Sequence, residues 1–311
     1  MEVDSHSITA VMVAAVRAYH SAQTGPKIFD DTVAHLLLSD TEREMFEELC
    51  VSGLQRINPS LAASCSDRAS FVYHAQRTVA GTAPVLVRGR YIENALLAAL
   101  DRRIQQYVII GAGLDTFAFR RPDLVKRLRI FEIDHPATQA FKRARLEDAR
   151  LRRPEHLHFA AADLEHETVS EALARTPYDQ TASTFFAWPG VAMYLSRESV
   201  FGTLRCVSSI APLGSELVFD YLEPSAFAAE APVRIQSMLQ VVRQLGEPIV
   251  SGLDPTTLSA ELSRVGLHLI EDVGPEQIQA RFLDRSDGFR STEYGHLARS
   301  AIVGFDETAD A

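Results

Sequence analysis

Four short motifs in the middle of the chain combine residue types that bind nucleoside-like ligands. Gly111 and Gly113 directly follow the apolar run 107–110, where glycines permit a tight turn and let the backbone approach a ligand closely. Glu132 and Asp134 lie about 20 residues further on, where a carboxylate can accept hydrogen bonds from a ribose. This spacing predicts a nucleoside site with one of the two acids as the ribose ligand.

Two further motifs follow the third and fourth predicted strands. Asp163 offers a carboxylate to an adenine amino group and Leu164 a surface to the adenine ring, although Asp163 is equally suited to cap the next helix. Trp188, the single tryptophan, precedes a Pro-Gly turn and is either a ligand contact or a core aromatic. Tyr194 follows the turn and either presents its hydroxyl to a substrate or packs in the core.

Strands and helices alternate from residue 107 onward, which indicates βαβ units and a parallel sheet. The strand segments are continuously apolar, which is typical of a sheet covered on both faces. In a doubly wound sheet, the four motifs open on the same carboxyl edge and form one crevice. The predicted strands are 107–110, 129–133, 157–161, 183–188, 215–221, 268–273 and 297–303.

The residues before the first strand show helical periodicity and no β-like alternation. We expect residues 1–84 to form a helical cap or lid and residues 85–311 to form the ligand-binding domain. Asp30 and Asp31 are acidic residues of the kind that a helix N-terminus favours, and they predict a helix over the residues that follow. Residues 226–245 are predicted to form one long helix.

Composition restricts the class of partner. The chain has 311 residues, 46% of them hydrophobic, and a net charge of −10, which indicates a globular protein and disfavours nucleic acid and anionic membranes as partners. We find no signal peptide and no apolar run long enough to span a bilayer, and three scattered cysteines indicate a reducing, cytoplasmic setting. The apolar N-terminal helices also leave a homodimer possible.

Other chemistries lack the patterns that they require. Thr116 occupies the position of the third glycine in a dinucleotide-binding GxGxxG pattern, which argues against NAD. The sequence contains no nucleophile elbow, no P-loop and no histidine spacing typical of metal sites. Arg90, before the first strand, is either a clamp for a carboxylate or an ordinary surface charge.

With these motifs the chain resembles the leucine carboxyl methyltransferase-like family of class I S-adenosylmethionine (SAM) methyltransferases. The similarity extends over most of residues 10–225, and Pro189 departs from the family, which often has an acid there near the cofactor's amino group. The resemblance implies a Rossmann-like fold, SAM as cofactor and S-adenosylhomocysteine as product. The matching segments are AYHSAQTGPKIFDDTVAHLLL, GAGLDT, FEID followed by HP, ADL, GVAMYL and SELVFDY.

The resemblance also implies roles for individual residues. Independently of the resemblance, the position of Trp188 at the carboxyl edge of the sheet predicts that it contributes to the cofactor site. The other residues expected to hold the cofactor are Arg90 at its carboxylate, Gly111, Ala112 and Gly113 along its methionine part, Asp134 at its ribose, and Asp163 with Leu164 at its adenine.

We therefore predict a SAM-dependent O-methyltransferase that acts on a carboxyl or hydroxyl oxygen of a small acceptor, such as a secondary metabolite. Tyr194 and Tyr221 are the predicted catalytic residues, with Glu223 and His296 as further candidates for a base. Three alternatives remain open at this point. They are a SAM-assisted reaction without methylation, such as cyclisation, an NAD-dependent oxidoreductase, and a non-catalytic nucleoside-binding module.

Overall fold

The computed structural model describes residues 6–283 and 285–304 and contains one seven-stranded sheet in the order β3-β2-β1-β4-β5-β7-β6. Strands β1 to β5 pair in parallel, whereas β7 runs antiparallel to both β5 and β6. The predicted doubly wound, mostly parallel sheet is confirmed. The strands are β1 (Gln106–Ile110), β2 (Arg129–Asp134), β3 (Leu157–Ala161), β4 (Thr184–Trp188), β5 (Glu216–Leu222), β6 (Leu267–Val273) and β7 (Gly295–Ile302).

Helices cover both faces of this sheet. Successive side chains of a strand point to opposite faces, so Phe185 of β4 packs in one hydrophobic core and Phe186 in the other. Among the described residues, five α-helices precede β1: α1 (Ile8–Ala22), α2 (Asp40–Ile57), α3 (Pro59–Ala63), α4 (Arg68–Thr78) and α5 (Thr82–Leu100). The later ones are α6 (Phe117–Arg120), α7 (Pro122–Val125), α8 (Pro136–Asp148), α9 (Val169–Ala174), α10 (Arg197–Ile210), α11 (Val233–Gln244), α12 (Pro255–Ser263) and α13 (Pro275–Phe282).

The N-terminal helices pack on the sheet as a cap. Val16 of α1, Leu54 of α2 and Leu86 of α5 belong to the same hydrophobic core as Ile109 of β1. The expected boundary after residue 84 falls within α5, which contributes to this shared core. In the part of the chain that the structure describes, no helix combines the length and apolar character needed to cross a bilayer.

Two predicted helices differ from the structure. Residues 226–245 do not form one helix: a 3-10 turn spans Pro224–Phe227, and α11 begins only after Pro232, whose ring and missing N–H interrupt helical hydrogen bonding. The segment after Asp31 forms only a 3-10 turn, Ala34–Leu37. Asp31 is fully buried, and its carboxylate accepts hydrogen bonds from the Val33 and Ala34 N–H groups at 3.2 and 2.9 Å.

Candidate functional site

A cavity of about 670 Å³ lies at the carboxyl edge of the sheet, beneath the helical cap. Gly111, Asp163 and Gly190 line it from the loops after β1, β3 and β4, and Asp134 lines it from the last position of β2. The structure thus brings the four sequence motifs together, as the parallel topology predicts. Helices α1, α2, α5 and α11 and the ends of β5 and β7 supply further parts of the wall.

The turn after β1 is closely packed from two sides. Gly111 has a φ of 70°, and a Cβ atom built there would lie 2.2 Å from Val191 Cγ2. A Cβ at Gly113 would lie 3.1 Å from the Cβ of Ala10 in α1. Glycine is therefore required at residue 111 both for the left-handed backbone and for the approach of the loop after β4. Ala112 also lines the cavity.

The structure separates the roles of the two acids on β2. Asp134 lines the cavity, where its carboxylate accepts hydrogen bonds from the N–H groups of Gly113 and, at 2.7 Å, His135. Burial raises the pKa of Asp134, although these two donors act in the opposite direction. Glu132 instead forms a buried ion pair with Lys142, and burial raises the pKa of Glu132 to about 7. Asp134 is therefore the acid that a ligand in the cavity can reach.

The structure does not bring Arg90 to the cavity, and Arg88 is there in its place. Arg90 is exposed, whereas Arg88 lines the cavity with its Nη1 3.2 Å from Asp220 Oδ2. Residues two positions apart lie on nearly opposite sides of a helix, so the two side chains cannot share a wall. The spacing of Pro84, Arg88 and Ile92, which all line the cavity, is a helical signal that identifies Arg88.

Asp220 is a site residue that the sequence analysis missed. Its side chain accepts hydrogen bonds from Arg88 and from the N–H of Gly190. A Cβ at Gly190 would lie 2.4 Å from Arg88 Nη1, so this glycine leaves room for the guanidinium. The signal for Asp220 was its position on β5 near the carboxyl edge, beside the strand that carries the Pro-Gly turn.

Two predicted contacts at the other loops have different outcomes. Asp163 and Leu164 both line the cavity, and Asp163 also accepts a hydrogen bond from the Glu165 N–H at 3.0 Å. Trp188 does not line the cavity, so the structure gives no support for a cofactor contact there. It is fully buried and packs near Phe219, because the alternation along β4 turns it toward the core on the face opposite Phe185.

The two tyrosines predicted to be catalytic both line the cavity. Burial raises the pKa of Tyr194 to about 12. The Tyr221 hydroxyl donates a hydrogen bond to Asp272 at 2.8 Å, and burial together with that acid raises the pKa of Tyr221 well above its ordinary value. At neutral pH both side chains are therefore protonated, and that of Tyr221 is the hydrogen-bond donor to Asp272.

His296 also lines the cavity, between two carboxylates. Its Nε2 lies 2.9 Å from Glu223 Oε1, and its Nδ1 lies 3.1 Å from Asp272 Oδ2. Burial lowers the pKa of His296, but its contacts with Asp272 and Glu223 outweigh burial and raise that pKa overall. The strand pairing of β5 with β7 places Tyr221 opposite His296, and their rings stack 4.9 Å apart.

Glu247, in the segment after α11, forms hydrogen bonds with the first turn of α1 above the cavity. Its carboxylate accepts hydrogen bonds from the N–H groups of Ile8 and Thr9 at 2.8 and 3.3 Å and from the Ser7 hydroxyl at 2.9 Å. A negative charge is favourable here, because the first N–H groups of a helix lack partners within the helix. This contact joins the cap to the segment between β5 and α12.

We expect Glu247→Gln to loosen the start of α1, because an amide replaces charge-assisted hydrogen bonds with weaker ones. The expected loss is about 1–2 kcal/mol of local stability. Hydrogen exchange followed by mass spectrometry should show faster exchange in α1. Glu230→Gln is the control, because it removes the same charge from an exposed acid of the same segment. Equal exchange in the two variants would refute the role of Glu247.

Sequence comparisons match the chain to a family and to individual proteins. The profile of the leucine carboxyl methyltransferase family matches residues 10–208. YktD of Bacillus subtilis (strain 168), which carries the name of an S-adenosyl-L-methionine-dependent methyltransferase, is 32% identical over 304 residues. The alignment covers 96% of this chain and 100% of YktD. A similarly named protein of Mycobacterium marinum is 28% identical over 247 residues, which cover 79% of this chain and 75% of that protein.

Solved structures share the fold. A DUF574 family protein from Streptomyces avermitilis MA-4680 superimposes with a TM-score of 0.60 at 14% identity and covers 96% of this chain and 99% of its own. A protein from Thermobifida fusca YX that is described as a methyltransferase gives a TM-score of 0.53 at 16% identity, with coverage of 97% and 96%. At these identities the comparison supports the architecture.

Proposed function

Because this chain belongs to the leucine carboxyl methyltransferase family of SAM-dependent methyltransferases, we propose that it methylates a carboxyl or hydroxyl oxygen of a small-molecule acceptor. The observation that carries the proposal is one continuous cavity that runs from the glycine turn to a space between α2, α5 and α11. Its volume of about 670 Å³ lies within the usual range for ligand pockets, and α1 covers it. The family's description supports oxygen as the methylated atom.

The residues of the cavity fit SAM, which supplies an electrophilic methyl group on a sulfonium. We assign its carboxylate to Arg88, because the contact with Asp220 uses few of the five N–H donors of that guanidinium. We assign the amino group of SAM to Asp220, because Pro189 stands where the family often has an acid. The Asp220 carboxylate already accepts a hydrogen bond from the N–H of Gly190, the residue after Pro189, so it lies beside that position.

The nucleoside part of the cofactor has its own partners. Each carboxylate oxygen can accept about two hydrogen bonds, so Asp134 retains acceptor capacity for ribose hydroxyls beyond its two backbone donors. We assign the methionine part to the glycine turn, because Gly111, Ala112 and Gly113 all line the cavity there. Asp163 and Leu164 line the cavity where adenine is expected.

The chain's own residues orient the acceptor and exclude water. The cap closes over the cavity through Glu247, and holding reactants in the productive geometry is worth roughly 7–11 kcal/mol in favourable cases. Tyr194, protonated at neutral pH, can donate a hydrogen bond to the acceptor. A carboxylate acceptor needs no base, whereas the proton of a hydroxyl acceptor can pass to the neutral form of His296, which lines the cavity and is held by Asp272 and Glu223.

The test is methyl transfer from isotopically labelled SAM to a panel of carboxylic acids, phenols, alcohols and amines, followed by mass spectrometry. We expect products methylated on oxygen, and inhibition by S-adenosylhomocysteine. Mild alkali releases the methyl group of an ester as methanol but leaves an ether intact, which distinguishes the two oxygen types. Transfer to nitrogen alone, or SAM binding without transfer to any oxygen acceptor, would overturn the proposal.

A further inference from the structure

The cavity has two chemically different ends. The end near the glycine turn contains the charged groups Arg88, Asp134 and Asp220. The far end, which we call the apolar chamber, is enclosed by α2, α11 and the residues between α4 and α5. Its characteristic lining residues are Leu49, Ile57, Val79, Met238, Val241 and Leu245.

Helix α11 contributes one apolar face to this chamber. Met238, Val241 and Leu245 follow a spacing of three and four residues, and all three line the cavity. Two polar contacts hold the helix at residues that also line the cavity: the Arg234 guanidinium donates to the Ser291 carbonyl at 3.2 Å, and the Arg56 guanidinium contacts the Ser237 hydroxyl at 3.4 Å. The apolar face of α11 is thus kept against a ligand-sized space.

The arginines of the lining leave the apolar chamber without a free partner for an anionic acceptor body. They are, among the described lining residues, Arg17, which is paired, and Arg88, whose remaining donors we assign to the SAM carboxylate. Arg17 lies 3.1 Å from Asp31 and donates to the Leu114 carbonyl at 2.8 Å, while Arg88 contacts Asp220. Burying a polar or charged group without a compensating hydrogen bond is unfavourable.

We infer that the acceptor has an apolar body without anionic groups that occupies the apolar chamber and turns its reactive oxygen toward Tyr194. This inference rests on the proposed function and names the class of acceptor: a multi-ring or alkyl-substituted compound rather than a sugar, a polyol or a metabolite with an anionic body. Affinity then comes from apolar surface removed from water, and each methylene that enters the chamber strengthens binding about fourfold.

A homologous series of 4-alkylphenols, with the matching 4-alkylbenzoates, tests this directly. Displacement of the neutral fluorescent probe N-phenyl-1-naphthylamine from the SAM-saturated protein gives each affinity without requiring turnover. We expect the probe to bind and the affinity to rise about fourfold per methylene until the chamber is full. Affinity that is independent of chain length, or no binding of the probe while SAM still binds, would overturn the inference.

Two variants of α11 locate the effect. Met238→Gln changes the shape little but places an amide in the apolar chamber, so we expect a shallower dependence on chain length and a several-fold weaker affinity for the longest compounds. Leu239→Gln, one position along the same helix and outside the cavity lining, is the control and should retain the wild-type dependence. SAM affinity checks that both variants are folded. An equal effect of the two variants would overturn the placement in the chamber.

The experiment also separates this inference from the proposed function. If the alkyl series displaces the probe as expected but no oxygen is methylated, the apolar chamber stands and the proposed function fails. If oxygen methylation occurs with short polar acceptors alone and affinity does not depend on chain length, the proposed function stands and the inference is overturned.

Discussion

Asp31→Asn is expected to lower the free energy of unfolding by about 3–5 kcal/mol, the range found when one partner of a buried ion pair is removed. Asp31 is fully buried; its Oδ2 lies 3.1 Å from Arg17 Nη1 and accepts the Thr116 hydroxyl hydrogen bond at 2.6 Å. Its Oδ1 lies 3.7 Å from Arg120 Nε. The amide leaves the buried Arg17 guanidinium without its counter-charge, whereas Arg120 keeps its ion pair with Glu93. Urea unfolding of the wild type and of Asp31→Asn measures the difference in the free energy of unfolding.

The neighbouring Asp30 provides a matched control, because it is the same residue type but exposed. Asp30→Asn should change the free energy of unfolding by no more than about 0.5 kcal/mol, as is usual for surface positions. If Asp31→Asn lowered the free energy of unfolding no more than Asp30→Asn does, the buried ion pair would not stabilise the packing of the cap against the glycine turn.

The same ion pair gives the stability a pH dependence of known sign. Burial alone would raise the pKa of Asp31, but Arg17, Arg120 and the Thr116 hydroxyl hold that pKa below its ordinary value. A carboxylate with a lowered pKa stabilises the fold above the unfolded-state pKa of about 4, and its contribution disappears as the pH falls toward the folded-state pKa. The stability gap between wild type and Asp31→Asn should therefore be constant near neutrality and shrink below about pH 4.

Asp31 also shows what local sequence patterns miss. Two consecutive acids predicted a helix start, yet the decisive partners of Asp31 come from α1, from α6 and from the turn after β1. Thr116 was informative for a different reason: it replaces the third glycine of a dinucleotide-binding pattern, and its hydroxyl binds the cap. These contacts span long distances along the chain, so neither periodicity nor capping preferences reveal them.

The sheet, in contrast, followed from the sequence almost completely. Strands buried on both faces need continuous apolar runs, and helices between them impose parallel pairing, so both features are visible locally. That topology alone also places Gly111, Asp134 and Asp163 at one edge of the sheet. The order of strands at the far edge, with β7 between β5 and β6, depends on packing that no local run encodes.

The predicted site residues that the structure does not place at the cavity differ from the others in side-chain direction within their elements. Arg90 and Arg88 lie two positions apart on α5, and only the helical phase relative to the cavity distinguishes them. Trp188 ends a strand at the correct edge, but the alternation along β4 turns its ring into the core. A residue's place in a motif thus predicted the loop to which it belongs, whereas the face that it presents required the phase of the element.

Asp134→Asn is expected to weaken the binding of SAM and of S-adenosylhomocysteine by about 10- to 100-fold, because hydrogen bonds to a charged acceptor contribute about 1.5–3 kcal/mol. The substitution removes the charge that we assign to the ribose hydroxyls. The Asp134 carboxylate accepts hydrogen bonds from the backbone N–H groups of Gly113 and His135, and the substitution places an amide NH₂ against one of these two donors. Isothermal titration calorimetry with both ligands measures the loss.

Asp148→Asn at the exposed end of α8 is the matched control and should bind both ligands as the wild type does. A comparison of unfolding midpoints separates a binding defect from a folding defect. The two roles of Asp134 make different predictions for adenosine alone, which lacks the methionine part. If the charge acts at the ribose, adenosine affinity should fall by a similar factor. If the carboxylate acts mainly by holding the Gly113 N–H, SAM should lose more affinity than adenosine. Wild-type affinity for all three ligands would remove Asp134 from the cofactor site.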